Sequence, residues 1–267
     1  MNTNKFMPEG WNDIQTNLDI NSAREYMQNN KILQGFVSTC DEEFNLHLNF
    51  GNGITGVIPR CEVEGINVDK TGLPKVNLCT GKVHKFIQFK ITEINKNNEL
   101  QLSRKNVQEE ALNWVKENLK PGEVVSGIVK NIQPYGAFIE IGGGVVGLAH
   151  IEDLSIARIK TPFERLKIGQ KVNVVVKSIN KEEGKVILSY KETLGTWEEN
   201  AKKFEVGMKT KGIVRETEKH KNGIFIELTP NLVGMAEYQE DLEYGQYVDV
   251  YVKKIDIEKK KVKLLII

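Results

Sequence analysis

Short apolar runs in polar surroundings set the texture of the chain. SGIVKNI (126–132), AFIEI (137–141), VNVVVKSI (172–179) and KVILSY (185–190) are rich in Val and Ile. Gly, Asn or charged turns bound them, the pattern of short β-strands. The pattern recurs. Residues 121–191 open PGEVVSGIVKNIQPYGAFIEI and close VVVKSINKEEGKVILSYKE. Residues 206–267 open VGMKTKGIVRETEKHKNGIFIEL and close DVYVKKIDIEKKKVKLLII, and residues 31–104 are a weaker copy. The shared anchors are Gly35, Gly127 and Gly212 in the first strand, Gly56, Gly147 and Gly234 before the third, and Leu102, Leu188 and Leu264 in the last. They lie farther apart than the roughly 20–50 residues of a solenoid repeat, so each unit reads as a small domain of its own. Five strands with a longer connection after the third fit a closed barrel, which leaves no sheet edge to pair with another chain.

Between the units the spacing becomes helical. KNVQEEALNWVKENLK (105–120) puts Val107, Ala111, Trp114 and Val115 on one face and stops at Pro121-Gly122. KETLGTWEENAKKF (191–204) does the same with Leu194, Trp197, Ala201 and Phe204. Both tryptophans are expected to pack on a neighbouring barrel. The expected fold is mainly β, three tandem five-stranded antiparallel OB-type barrels joined by short helical linkers. The expected division is a polar tail and lead-in helix over 1–30, repeat 1 over 31–104, a linker over 105–120, repeat 2 over 121–191, a linker over 192–205 and repeat 3 over 206–267. Residues before about 18 read as a loosely ordered tail.

Composition narrows the function classes. The chain has 267 residues, 40% hydrophobic and 27% charged, with a formal net charge of +1, so any nucleic-acid site is a local patch on a balanced background. No leading apolar core marks secretion and no run approaches the roughly 20 apolar residues of a membrane span, so a cytoplasmic protein is expected. Cys40, Cys61 and Cys79 form no CxxC pair, which argues against a disulfide framework or a zinc knuckle. The glycines Gly142, Gly144 and Gly147 satisfy G-x-G-x-x-G, but VVGLAH follows, a strand and not the helix a dinucleotide site needs. No Walker loop or HExxH occurs, and no cofactor or enzymatic activity is expected.

Repeat 2 carries the informative surface. Tyr135 and Phe138 would face opposite sides of a strict strand, but Gly136 between them permits a bulge or a strong bend that re-aims one ring. His150, at the end of the third strand, would join them. Aromatic and imidazole faces stack on unpaired bases, and lysines supply phosphate contacts; Lys130, Lys177 and Lys185 are the candidates.

The motif order SGIVKNI, YGAFIEI, GLAHIEDL and VVVKSIN…KVILSYKE resembles the S1 RNA-binding domain, the OB-type repeat of the largest protein of the bacterial small ribosomal subunit. The whole chain is similar to a short three-repeat form of that family of the clostridial type. The resemblance implies an RNA face of Tyr135, Phe138, His150, Asn180 and Lys185, with Asn180 where an aspartate is usual and Lys185 where an arginine is usual. Repeat 3 keeps Phe225, Asp256 and Lys261 at matching positions, but Asn222 replaces the first ring and Glu237 the histidine. The clusters KHK (219–221) and KKK (259–261) would compensate at its rim. In repeat 1, Phe44 and Phe50 read as out of register with the motif and Arg60 stands near the histidine position, which suits protein docking. The implied function is single-stranded RNA binding, messenger RNA in translation, by a monomer associated with the small ribosomal subunit. A free RNA-binding regulator of RNA turnover or stress and a protein-interaction scaffold remain as alternatives.

Overall fold

The computed structural model describes residues 6–218 and 223–267. After a lead-in helix α1 (Ile20–Gln28), barrel 1 comprises β1 (Leu33–Cys40), β2 (Leu46–Gly51), β3 (Ile54–Ile58), β4 (Phe86–Ile94) and β5 (Glu99–Ser103). Two short helices, α2 (Arg60–Val63) and α3 (Val76–Thr80), fill its long connection. Helix α4 (Lys105–Asn118) leads to barrel 2: β6 (Val124–Gln133), β7 (Gly136–Gly142), β8 (Val145–His150), β9 (Lys171–Asn180) and β10 (Lys185–Ser189). Helix α5 (Trp197–Ala201) precedes barrel 3: β11 (Lys209–Glu218), β12 (Gly223–Thr229), β13 (Leu232–Glu237), β14 (Tyr247–Asp256) and β15 (Lys261–Ile266).

All three barrels close in the same order, first strand to second to third to fifth to fourth and back to the first. Adjacent strands are antiparallel except in the third–fifth pair, which is parallel each time (β3–β5, β8–β10, β13–β15). This follows from counting: directions cannot alternate all the way around a ring with an odd number of strands. Each first strand carries a bulge, at Ser38, Lys130 and Arg215, where the register slips by one residue. Such bulges bend a strand enough to round a small barrel. The anchor glycines sit where strands cross closely. A Cβ on Gly147 would lie 2.7 Å from Leu188, and one on Gly234 2.5 Å from Leu264, so glycine and closing leucine form a matched pair.

The linkers are less uniform than their sequences suggest. Helix α4 buries Val107, Ala111 and Val115 on the barrel 2 core, with Trp114 packed edge-on against Phe6, ring centres 6.2 Å apart. The second linker is no continuous helix over 191–204. A single helical turn ends at Gly195, whose φ of +83° no helix accepts, and Thr196 then caps α5 with its hydroxyl accepting from the Glu199 amide at 3.2 Å. Trp197 and Phe204 pack on the barrel 3 core.

Residues 6–18 are not a loose tail. Phe6, Glu9 and Leu18 are buried, and the Thr16 amide donates to Gln34 O at 2.9 Å, so the segment straps barrel 1 to barrel 2. Glu9 receives two hydrogen bonds from the buried Arg104 guanidinium, at 2.6 and 2.9 Å, and sits 3.3 Å from the Lys82 ammonium. Its backbone amide donates to the Glu140 carboxylate at 2.8 Å and its carbonyl accepts from Lys130 at 3.1 Å. Burial pushes the Glu9 carboxyl up, but Arg104, Lys82 and Lys130 more than offset that and hold it well below the usual carboxylate range.

Barrel 3 docks on barrel 2 through the same two strand positions. The bulge residue Arg215 pairs with Glu227, as Lys130 pairs with Glu140, and the two acids occupy equivalent places. In barrel 3 this pair receives Arg165 and Glu164 from the β8–β9 connection of barrel 2. Tyr244 donates to Glu164 at 2.9 Å, and the Ala157 amide donates to Pro230 O at 2.9 Å.

Candidate nucleic-acid interface

The sequence-selected rings and imidazole of repeat 2 come together on the outer face of the β7–β8 hairpin. Tyr135 lies in the turn before β7 and is 49% exposed; its ring and that of Phe138 meet edge to face, centres 6.0 Å apart. His150 stands directly across from Gly136, and the Ile151 amide donates to Tyr135 O at 2.9 Å, tying the two strand ends. Of the two expected devices at Gly136, the bulge does not occur. Gly136 pairs in register with Gln133 and His150. Tyr135 is free of strand alternation because it precedes the strand, and the bulge is at Lys130. What Gly136 provides is proximity: a Cβ there would lie 2.4 Å from Ala149 O. His150 Nδ1 faces the Glu152 amide at 3.5 Å and lies 3.9 Å from the Glu152 carboxylate. Half-buried Leu148 and Ile187 extend the face as an apolar floor beside Phe138.

The polar candidates divide. Lys130 does not reach this face; its ammonium is 2.7 Å from Glu140 and bonded to Glu9 O, inside the junction with barrel 1. Bulge geometry, which the sequence did not announce, turned it there. Lys177 stands at the register shift between β9 and β10, half exposed, donating to both oxygens of Asp153 at 2.8 and 3.0 Å. Lys191 approaches the same carboxylate at 3.2 Å. Burial raises the Asp153 pKa, and hydrogen bonds and charge from Lys177 and Lys191 override it, leaving the carboxyl below its ordinary 3.8. Asn180 and Lys185 face each other at the mouth of the β9–β10 hairpin. Asn180 Oδ1 accepts from the amides of Glu182 and Glu183 at 3.0 and 3.1 Å and so shapes that turn. Lys185, 75% exposed, pairs with Glu183 at 2.7 Å. An ion pair this open is worth only about 0–1 kcal/mol, so a phosphate competes for the lysine readily.

Barrel 3 repeats the frame with other groups. Phe225 is half-buried opposite exposed Met235, and exposed Glu237 stands opposite Gly223 in the place of His150. Asp256 pairs across the hairpin with exposed Lys261 and accepts from the Lys259 amide at 3.0 Å, which holds its carboxyl below the ordinary value. Asn222 and the KHK run 219–221 lie outside the described residues.

Barrel 1 corrects the sequence register. His47 precedes Gly56 as Phe138 precedes Gly147 and Phe225 precedes Gly234, by the same nine residues. The strand pairing agrees, since Leu48, Ile139 and Ile226 each sit opposite the equivalent valine of the first strand. Phe44 therefore matches Tyr135, and His47 matches Phe138. Counting back from the strand-three glycine would have found both. Phe50 belongs to the core against Phe89, ring centres 5.7 Å apart. The Arg60 guanidinium lies 5.1 Å from the Phe44 ring centre and donates to Pro74 O at 2.9 Å. His47 Nε2 sits 2.8 Å from Asp41, and this hydrogen bond is the main cause of an Asp41 pKa lowered to about 2. The face exists here too, but its ring nitrogen and guanidinium are engaged within the barrel.

Three closed five-stranded barrels of this order, one with paired rings and an imidazole on its second and third strands and the turn leading into them, define a tandem OB-fold protein. Residues 118–191 match the S1 RNA binding domain. The chain is 36% identical over 197 residues to small ribosomal subunit protein bS1 of Staphylococcus aureus (strain MRSA252), an alignment covering 67% of this chain and 50% of that protein. It is 28% identical to the bS1 protein of Rhizobium meliloti (strain 1021), covering 96% of this chain and 44% of that one. Among solved structures, GSP13 from Bacillus subtilis is 34% identical over 29% of this chain and 59% of its own, with a TM-score of 0.28. The protein belongs to the S1 family. It spans about half the length of the bS1 relatives it matches.

Proposed function

We propose that the protein binds single-stranded RNA through barrel 2, the bases stacking on Tyr135, Phe138 and His150 while Lys177, Asn180 and Lys185 line the phosphate side. The observation that carries this is the accessible ring pair, 6.0 Å apart, beside an imidazole on one outer face. Stacking of this kind accepts any base, which suits a protein that handles messenger RNA of many sequences. Phe225, Asp256 and Lys261 of barrel 3 form a weaker second contact, and two weak sites on one chain reinforce each other through effective concentration. The relatives named small ribosomal subunit protein bS1 support a setting in translation, with the protein a cytoplasmic monomer at the small subunit and no catalytic step of its own. Barrel 1, whose polar groups are tied up internally, is the end suited to docking.

Fluorescence-anisotropy titration of labelled, unstructured RNA tests the reading. The Tyr135→Ala/Phe138→Ala/His150→Ala variant is expected to lose about 2 kcal/mol or more, with stability unchanged within about 1 kcal/mol. Wild-type affinity should fall with salt at a log–log slope near about −0.7 per phosphate contacted. Equal binding by variant and wild type contradicts the assigned face, and absence of binding by both favours a protein-interaction scaffold. Co-sedimentation with small ribosomal subunits separates the ribosomal setting from a free regulator.

A further inference from the structure

A cleft of about 750 Å³ separates barrels 1 and 2. Its barrel 1 wall carries Lys82, His84, Lys85 and Phe86, and its barrel 2 wall carries Val146 and Ile168. None of these residues lies on the ring face of barrel 2 or has a part in the charged lock around Glu9 except Lys82.

Three features of the barrel 1 wall need an explanation that packing does not supply. First, His84 and Phe86 of that wall share an aromatic cluster with Phe36 of β1, which does not itself line the cleft: Phe36 lies 5.4 Å from Phe86 and 6.1 Å from His84, centre to centre, with both phenylalanines half-buried and His84 exposed. Second, His84 holds a φ of +59°, a left-handed conformation that costs a non-glycine residue free energy and that accumulates at binding sites. Third, the cleft is charged by composition but close to neutral in effect. Glu9, Glu64 and Glu140 are consumed by Arg104, Lys82 and Lys130, so among the described residues lining the cleft only Lys85 and Asp13 are exposed charges outside those pairs. A polyphosphate finds no cradle in such a lining. A flat uncharged ring with one phosphate at the rim, beside Lys85, fits it.

The cleft also continues the barrel 2 face. Outward side chains alternate along β8 as His150, Leu148 and Val146, and Val146 is the residue that enters the cleft wall, 43% exposed. Those positions are four residues apart, about 13 Å of strand. A strand of RNA stacked on Tyr135 and His150 and following β8 arrives at the cleft without crossing a gap.

We infer that the cleft between barrels 1 and 2 is an additional nucleobase site, in which a base of the same single-stranded RNA stacks against His84 and Phe86 with its phosphate at Lys85. This rests on the RNA reading of barrel 2. It makes the occupied footprint longer than one barrel, and it gives barrel 1 a direct contact with RNA through the start of β4 and the turn before it.

The test is an anisotropy titration of the full chain with fluorescein-labelled oligouridylates of graded length, using His84→Gly and Phe86→Leu. Glycine relieves the left-handed backbone while removing the ring, so His84→Gly should melt no lower than wild type. Leucine preserves the apolar burial of Phe86. The wild type is expected to gain affinity when the oligonucleotide becomes long enough to reach from barrel 2 into the cleft. Each variant should lose about five-fold on the longer oligonucleotides, the low end of one stacked base, and nothing on the shortest one that binds. An unchanged length dependence in both variants, with short-RNA binding intact, overturns the cleft and leaves the barrel 2 site standing. A uniform loss at every length also overturns it, because a site reached only by long RNA cannot weaken short RNA. Failure of the wild type to bind any length overturns both readings together.

Discussion

Barrels 2 and 3 show what a shared backbone leaves undecided. Their hairpins pair in the same register, with Phe138 opposite Leu148 in one and Phe225 opposite Met235 in the other. At the open end of each, a glycine faces the residue that ends the third strand: Gly136 faces His150 and Gly223 faces Glu237. The similarity stops there. A Cβ on Gly136 would meet Ala149 O at 2.4 Å, whereas one on Gly223 would meet Met235 Sδ at 3.3 Å, the end of a flexible side chain. In barrel 2 the strands close tightly and bring an imidazole beside Tyr135; in barrel 3 they leave room, and the group presented is an acid. The core fixes where the face is, and only a few outward residues fix whether it suits RNA.

The largest expected difference is in stability. Gly136→Ala should destabilise the protein by about 3 kcal/mol, since backbone oxygen cannot move aside as a side chain does. Gly223→Ala should stay within about 0.5 kcal/mol of wild type. Chemical denaturation of the two variants measures both, and equal losses would break the distinction. Next is the charge on the barrel 3 face. Glu237→His replaces a phosphate-repelling carboxylate with a stacking ring and should tighten RNA binding by about 1 kcal/mol in low salt, less in high salt. Anisotropy titration at two salt concentrations checks it; no gain would show that barrel 3 does not touch the RNA.

The smallest effect is acid-dependent. Asp153, buried and bridging Lys177 and Lys191, titrates below its ordinary 3.8 in the folded protein. A carboxylate so depressed contributes stability that is present above 3.8 and is lost as pH falls through its lower folded value. Asp153→Asn should therefore lower stability near neutrality and flatten its decline below about pH 4. Melting temperatures followed from neutral to acid pH test this, and parallel curves for the two proteins would contradict it.

Much of this was readable in the sequence because the cues were local. Val and Ile runs, turn glycines and the spacing of anchors specify five strands per unit, and the Tyr135–Phe138–His150 set follows from the motif order. What escaped depends on strand pairing. The bulge at Lys130 turns that lysine into the junction with Glu140 and Glu9, and no residue type marks a bulge in advance. The polar composition of residues 6–18 suggested a tail, although Phe6 and Glu9 are buried: one charge with a perfect partner, Arg104, reads in sequence like any solvated charge. Gly195 likewise split a helix whose apolar spacing was regular on both sides.

Locating bound RNA on the protein tests the barrel 2 face most directly. Photo-cross-linking of a short oligonucleotide carrying 4-thiouridine, followed by peptide mapping, reports which side chains the bases touch. Adducts concentrated on the peptide holding Tyr135, Phe138 and His150, with few on the one holding Phe225, are the predicted result. Adducts confined to barrel 3, or spread over its lysines with none in barrel 2, would contradict the account.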